Sequence, residues 1–376
     1  EDFAPEGAEL THTIVPSVAT SIRRLSAGAP GDIRSGLRAA LAEAGALPPN
    51  CTAALEAFQA ALQACLDVLG AGPDDDDEDD GDAVPEGVYP NPEPTAAELA
   101  TLRAAVGRLW EIDAPFRLVP DQDYKLNHQA RAARVEDMVD RCREPLFEFV
   151  NEEKFMSSPC SSAFVALLDN YASETDKAEV VSAEEQKEMQ IFMQRLMGTP
   201  HMKYAHKVLV AWGKADSSYS RFASRVYEVW FTTYGLGTGQ AINCSSGFEH
   251  VFVGEERDNE LIGMHNWVRF WQEETKGRIN YKGYVGSLNS EDDRFVSVRF
   301  EMIDDDPEKE NKSVSSFLIG SSVAFEMSML TMAFLGFDGE CKVRDVWLGD
   351  IGPIGITSYS WKTRMATVVR SVYLES

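Results

Sequence analysis

No apolar run in the 376-residue chain approaches the roughly 18 residues that a membrane-spanning helix needs, so no segment reads as a span. Paired cysteines are missing too. Cys51, Cys65, Cys142, Cys160, Cys244 and Cys341 are scattered with no CxxC among them, which argues against a zinc ribbon or a thioredoxin-like redox site. Reduced, mostly buried thiols are the expectation. Positive charge is scarce: 35 Lys and Arg against 61 Asp and Glu give a formal net charge of −26. Such a chain repels polyanions, which excludes general coating of nucleic acid and confines any such contact to a local basic or polar pocket. The excess is partly local, since residues 1–96 hold 18 acidic and 4 basic side chains, but the remainder is acidic as well. Histidine is also rare, with only His12, His128, His201, His206, His250 and His265.

What is present divides the chain into three. Residues 1–72 are rich in Ala and Leu, and Ile33, Leu37 and Leu41, then Leu55, Phe58, Leu62, Cys65, Leu66 and Leu69, recur at helical spacing. They predict a small helical extension. Residues 73–94 contain Asp74-Asp75-Asp76-Asp77-Glu78-Asp79-Asp80 among prolines and glycines, a self-repelling segment that reads as a disordered linker. From 95 to 376 the composition becomes that of a dense, aromatic-containing body. Its first half reads helical. Ser182-Ala183-Glu184-Glu185 is a capping box for a helix to Gly198, and a second helix is expected from Ser220 to Tyr234. The second half reads as strands: an alternating run at 295–303, an acidic loop Asp304–Glu310, a strand Lys312–Ile319, then strands near 341–348, 354–361 and 366–374. A helix Ala324–Leu335, capped by Ser321 or Ser322, interrupts them. The pattern predicts an α+β fold with antiparallel sheets and segregated helices.

Two histidines stand out by context. His250 interrupts the apolar run Val251-Phe252-Val253 beside Glu249 and Glu255, and His265 follows Gly263. The first run reads as a strand, whose alternation points Glu249 and Glu255 away from His250. An imidazole with its ordinary pKa near ~6.5 serves as base or acid at neutral pH, which is what RNA cleavage by its own 2′-hydroxyl requires. A phosphorane-like transition state also calls for a cation. The rival reading is a metal site built from Glu249, His250, Glu255 and His265, in a metal-dependent hydrolase.

The run Ser245-Ser246-Gly247-Phe248-Glu249-His250-Val251-Phe252-Val253-Gly254-Glu255 resembles the central motif of the EndoU (XendoU-like) endoribonucleases. So do Ile262-Gly263-Met264-His265-Asn266-Trp267, Asn280-Tyr281-Lys282-Gly283-Tyr284, Ser316-Phe317-Leu318-Ile319-Gly320 and Phe325-Glu326-Met327. Upstream, Arg108-Leu109-Trp110, Asp121-Gln122-Asp123-Tyr124 and Leu167-Leu168-Asp169-Asn170-Tyr171 extend the similarity over residues 95–376. The resemblance implies two α+β lobes and cleavage of single-stranded RNA 3′ of uridylates, leaving 2′,3′-cyclic phosphates. It implies His265 as general base, His250 as general acid and Lys312, rather than Lys282, as the cation. Ser316, four residues after Lys312, is expected on the same strand face and at the uracil edge.

The family's Ile-Gly-Thr-x-Tyr-Pro-like element is matched by Ile354-Gly355-Ile356-Thr357-Ser358-Tyr359, giving Thr357 and Tyr359 as base-recognition residues. Ser371-Val372-Tyr373-Leu374 is the weaker match because Ile-Gly does not precede it. Glu249 and Glu255 match carboxylates the family uses to orient imidazoles or bind a divalent ion. That ion is expected to be Mn2+ or Ca2+, stimulatory and outside the reacting shell. The expected partner is U-containing single-stranded RNA, with neither DNA nor membrane. A second reading keeps the fold as an RNA-binding protein with weak turnover. Of three Asn-x-Ser/Thr sequons, the one at Asn311-Lys312-Ser313 would crowd Lys312 if glycosylated, which favours a cytoplasmic or nuclear location. The start at Glu1 leaves processing open.

Overall fold

The first described α-helix, α1 (Leu102–Ile112), begins where the Thr101 hydroxyl accepts a hydrogen bond from the Ala104 N–H at 3.1 Å. A computed structural model describes residues 91–376 apart from 133–139, 172–180, 236–243, 258–259, 288–293, 304–309, 365 and 376, and without the side chains of 287 and 310–313. The expected helical extension, the linker up to residue 90 and the acidic loop at 304–309 lie outside the described residues.

A short hairpin of β1 (Tyr124–Leu126) and β2 (Phe147–Val150) follows α1, then helices α2 (Glu152–Met156) and α3 (Pro159–Ala166). The capping box at Ser182 and Glu185 starts α4 (Ala183–Gly198), and Pro200 opens α5 (Pro200–Ala211) as the first residue of a new helix. Helix α6 (Tyr219–Phe231) ends three residues before the expected Tyr234. At the β-branched pair Thr232-Thr233 the chain leaves the helix: Thr232 turns extended and Tyr234 bridges to Ser245.

The second half holds the hairpin β3 (Glu255–Arg257) and β4 (Glu260–Ile262), helix α7 (Trp267–Thr275) and the sheet β5 (Ile279–Ser287), β6 (Phe295–Met302) and β7 (Glu310–Leu318). Helix α8 (Val323–Gly336) leads to a second antiparallel sheet of β8 (Lys342–Leu348), β9 (Ile351–Lys362) and β10 (Thr367–Glu375). Antiparallel sheets beside separate helices make the fold α+β, as the sequence predicts.

Helix α8 is apolar on every side because every side is covered. Val323 to Leu335 are all buried, and the helix packs against α1, α5, β9 and β10. Strand β6 differs from its alternating pattern in the same way. Phe300 meets Phe270 of α7 edge-on at 5.0 Å, while the polar face is enclosed too: Glu301 pairs with Lys282 at 2.9 Å and Ser297 with Ser316 at 2.8 Å.

Candidate active site

The His250 segment is a tight helical turn, which corrects the strand expectation. The Ser246 hydroxyl accepts from the Glu249 N–H at 3.1 Å and opens the turn. Residues Glu249–Val253 then form a π-helical turn closed by Gly254 N–H donating to the Glu249 carbonyl at 2.9 Å. Gly254 has φ +92°, and a Cβ there would meet Met264 Cβ at 2.9 Å, so glycine lets the chain reverse at this point. The reversal lays Glu255 back over the turn, with its carboxylate Oε2 2.7 Å from His250 Nδ1. Strand alternation had separated these two residues. A one-turn helix followed by a reversal brings them together, and both side chains are buried.

His265 is braced against the same turn through backbone. Met264 N–H donates to the His250 carbonyl at 2.9 Å and His265 N–H donates to the Val251 carbonyl at 2.7 Å. This approach needs Gly263, whose φ is +72° and whose missing Cβ would stand 1.8 Å from the His250 carbonyl oxygen. From β7 the Ser315 hydroxyl donates to the Met264 carbonyl at 2.8 Å. The two imidazole rings lie 6.3 Å apart between centroids, inclined at 61°. His265 is half-buried and stacks on Tyr373 at 4.9 Å and 24°.

Tyr373 belongs to Ser371-Val372-Tyr373, the run set aside in the sequence because Val369-Arg370 stands where Ile-Gly was expected. The geometry brings that run to the histidines. Thr357 and Tyr359 are the cross-strand partners of Tyr373 and Ser371, so they share a sheet face with them one strand further away. The Thr357 hydroxyl is committed to Glu375, and Tyr359 is exposed with the Lys342 ammonium 5.5 Å from its ring. Burial and then the neighbouring Tyr359 and Glu375 push the Tyr373 hydroxyl's pKa up.

On β7, Lys312 pairs with Phe300 and Ser315 with Val298, three residues matching two. That register shift breaks the alternation expected to group Ser316 with Lys312. Ser316 bonds Ser297, and Ser315 is the serine that reaches the His265 loop. The Lys312 side chain lies outside the described residues. Arg370, which no sequence signal singled out, reaches the site as well: Nη1 is 3.1 Å from His250 Nδ1 and 3.7 Å from Glu255 Oε2. The remaining described histidines serve packing. His201 is fully buried against Asp113 at 3.0 Å, and His206 meets the Asp216 carbonyl at 2.8 Å.

Beside His265, Asn266 caps α7 by accepting from Val268 and Arg269 N–H, both at 3.1 Å, and donates from Nδ2 to Glu326 at 2.9 Å. Burial, aided by nearby Asp113, pushes the Glu326 carboxyl up to about 7 from its ordinary 4.5. A carboxyl raised on folding binds its proton more tightly in the folded chain. Its contribution to stability is whole below the unfolded value and is lost as pH rises through the folded one. The melting temperature of Glu326→Gln relative to wild type is therefore expected to rise as pH goes from about 4.5 to about 7. A difference that stays flat across that window would refute this.

Among the described residues, the carboxylates beside the histidines do not converge into a coordination shell. Glu255 gives one oxygen to His250 and has a guanidinium fixed beside it, which opposes a second cation there. Among the described residues, no three His, Cys, Asp or Glu side chains converge as metal ligands would. Nor is any described helix long and apolar enough to cross a membrane.

Comparison with known proteins agrees over most of the described chain. A family model described as endoribonuclease XendoU matches residues 101–374. A poly(U)-specific endoribonuclease of Xenopus tropicalis is 38% identical over 239 residues, which is 60% of this chain and 78% of that protein. Uridylate-specific endoribonuclease B of Danio rerio is 38% identical over 242 residues, 62% of this chain and 83% of that protein. The solved structure of XendoU, a splicing-independent snoRNA-processing endoribonuclease, superposes with a TM-score of 0.60 at 32% identity, covering 73% of this chain and 96% of that one.

Proposed function

This chain belongs to the XendoU family of endoribonucleases, and we propose that it cuts single-stranded RNA 3′ of uridylates by attack of the 2′-hydroxyl, leaving 2′,3′-cyclic phosphates. The observation that carries this is the pair of imidazoles 6.3 Å apart on two cross-braced backbone segments. That spacing suits a base and an acid acting on the two sides of one phosphodiester.

His265, the more open of the two, takes the 2′-hydroxyl proton. The oxygen so activated attacks phosphorus and the bond to the 5′-oxygen breaks. His250, whose Nδ1 is held by Glu255, gives its Nε2 proton to that leaving oxygen. The carboxylate favours the protonated ring and fixes its direction, which suits an acid. Lys312 supplies positive charge to the phosphorane. Tyr373, flat against His265, offers a face on which uracil stacks, with Ser371, Thr357 and Tyr359 on the same side of the sheet. DNA lacks the attacking hydroxyl and is not cut.

A divalent ion, Mn2+ or Ca2+, acts outside this shell by screening a chain of net charge −26 from phosphate. Incubating a mixed-sequence oligoribonucleotide with the protein, with the ion or with chelator, tests the reading. Fragments ending in uridine 2′,3′-cyclic phosphate are expected, with chelation weakening cleavage without abolishing it. RNA left intact under every ionic condition would overturn it.

A further inference from the structure

We propose that Arg370 is a positioning residue for His250, its guanidinium and the Glu255 carboxylate holding Nδ1 from behind with opposite charges. The inference rests on His250 being the acid of the reaction above.

Arg370 reaches this place through a bulge. Val369 pairs with Ser360 and Ser371 with Tyr359, so Arg370 is an extra residue with no opposite on β9. Bulges re-aim a side chain, and here Ser371 and Tyr373 stay on the site face while Arg370 turns behind the imidazole. The strand is seated where it must be: a Cβ on Gly247, in the segment carrying His250, would meet Val369 Cβ at 2.6 Å. The Arg370 side chain is four-fifths buried at 20% exposure, and its guanidinium touches the ring nitrogen and a fully buried carboxylate, with Tyr234 beside it. A charge kept out of water at that position acts on the ring it touches.

Nδ1 carries a single proton, and the carboxylate at 2.7 Å receives it. The guanidinium at 3.1 Å then acts on the ring through charge, opposing the imidazolium that Glu255 favours. The charged and titratable groups around His250 that are described all enter this balance. Glu249 lies on its own turn, Glu255 comes from β3, Arg370 from β10 and His265 from the braced loop. Tyr234 stands behind Arg370 and Glu255, and Tyr373 behind His265. Among the described residues, Arg370 is the one that places a permanent positive charge against Nδ1.

The pH profile of kcat/KM and the NMR titration of the His250 ring nitrogens, both on the intact protein, test this. The alkaline limb of the profile reports the acid in the free enzyme. In Arg370→Gln it is expected to move up by about one pH unit, and in Glu255→Gln down by about one, as removal of opposite charges within hydrogen-bond range requires. Arg370→Lys keeps the charge and is expected to keep the wild-type limb. A merely structural role would lower rates at all pH values and leave the limbs in place. Limbs moving in the same direction, or an NMR titration of His250 unmoved in Arg370→Gln, would overturn the proposal. The NMR titration needs no turnover, so opposite shifts in a protein that cleaves nothing would leave the Arg370 assignment standing and reject the nuclease reading.

Discussion

His265→Ala is expected to lower kcat/KM for a uridylate-containing RNA by about a thousand-fold and to leave the protein folded. General acid–base groups contribute about a hundred- to ten-thousand-fold, and here the base has no described histidine or carboxylate able to take its place. The nearest imidazole is already assigned to the leaving group, 6.3 Å away. Stability is expected to change little, because the backbone of His265 makes the bracing bond to Val251 and alanine keeps that N–H. Among the contacts described, the ring stack on Tyr373 is lost, about 1 kcal/mol. Cleavage kinetics beside a thermal melt check both halves. Near-wild-type rates would remove His265 from the reaction, and a collapsed melt would show that the ring is structural.

Gly263→Ala is expected to be far more damaging than its size implies, destabilising the protein by about 3 kcal/mol or more and cutting cleavage by the folded fraction about a hundred-fold. Two costs coincide. With φ at +72° the backbone sits in a region that alanine adopts at about 1–2 kcal/mol. The new Cβ would also stand 1.8 Å from the His250 carbonyl oxygen and 2.8 Å from its carbon, both backbone atoms of the turn that carries the His250 ring. Relief requires the segments to part, which breaks the Met264-to-His250 hydrogen bond and shifts one imidazole relative to the other. Gly277→Ala is the matched control. Its φ is +71°, but nothing lies within 4 Å of its added Cβ, so it incurs the conformational cost alone. Denaturation midpoints for the two variants, with rates scaled to the folded fraction, separate the costs. Equal destabilisation by both would show that the close approach at Gly263 carries no weight.

Local pattern made much of this protein readable. The Ser182–Glu185 capping box, the apolar run of α8 and the alternating residues of β6 each describe a few consecutive positions. The structure returns each one with ends shifted by no more than a few residues. His250 and His265 were legible too, since a polar ring inside an apolar run and a histidine two residues after glycine are departures from local expectation. The same reasoning failed at 249–255. A run of Val and Phe has high strand propensity, and nothing nearby records that Ser246 and Gly254 close it into one helical turn.

The sequence alone determined the α+β class, the two imidazoles, and the glycine that lets their backbones approach. Only the tertiary structure decided who stands around them. Arg370 is 120 residues from His250, and Tyr373 lies at the far end of the chain from His265's loop. Two bulges, at Arg370 on β10 and between Ser315 and Lys312 on β7, change which residues face the site. Helical and strand periods report the face that a residue presents within its own element. Which element that face meets, and in what register, is settled by packing between segments far apart in the chain, and no local window contains both partners.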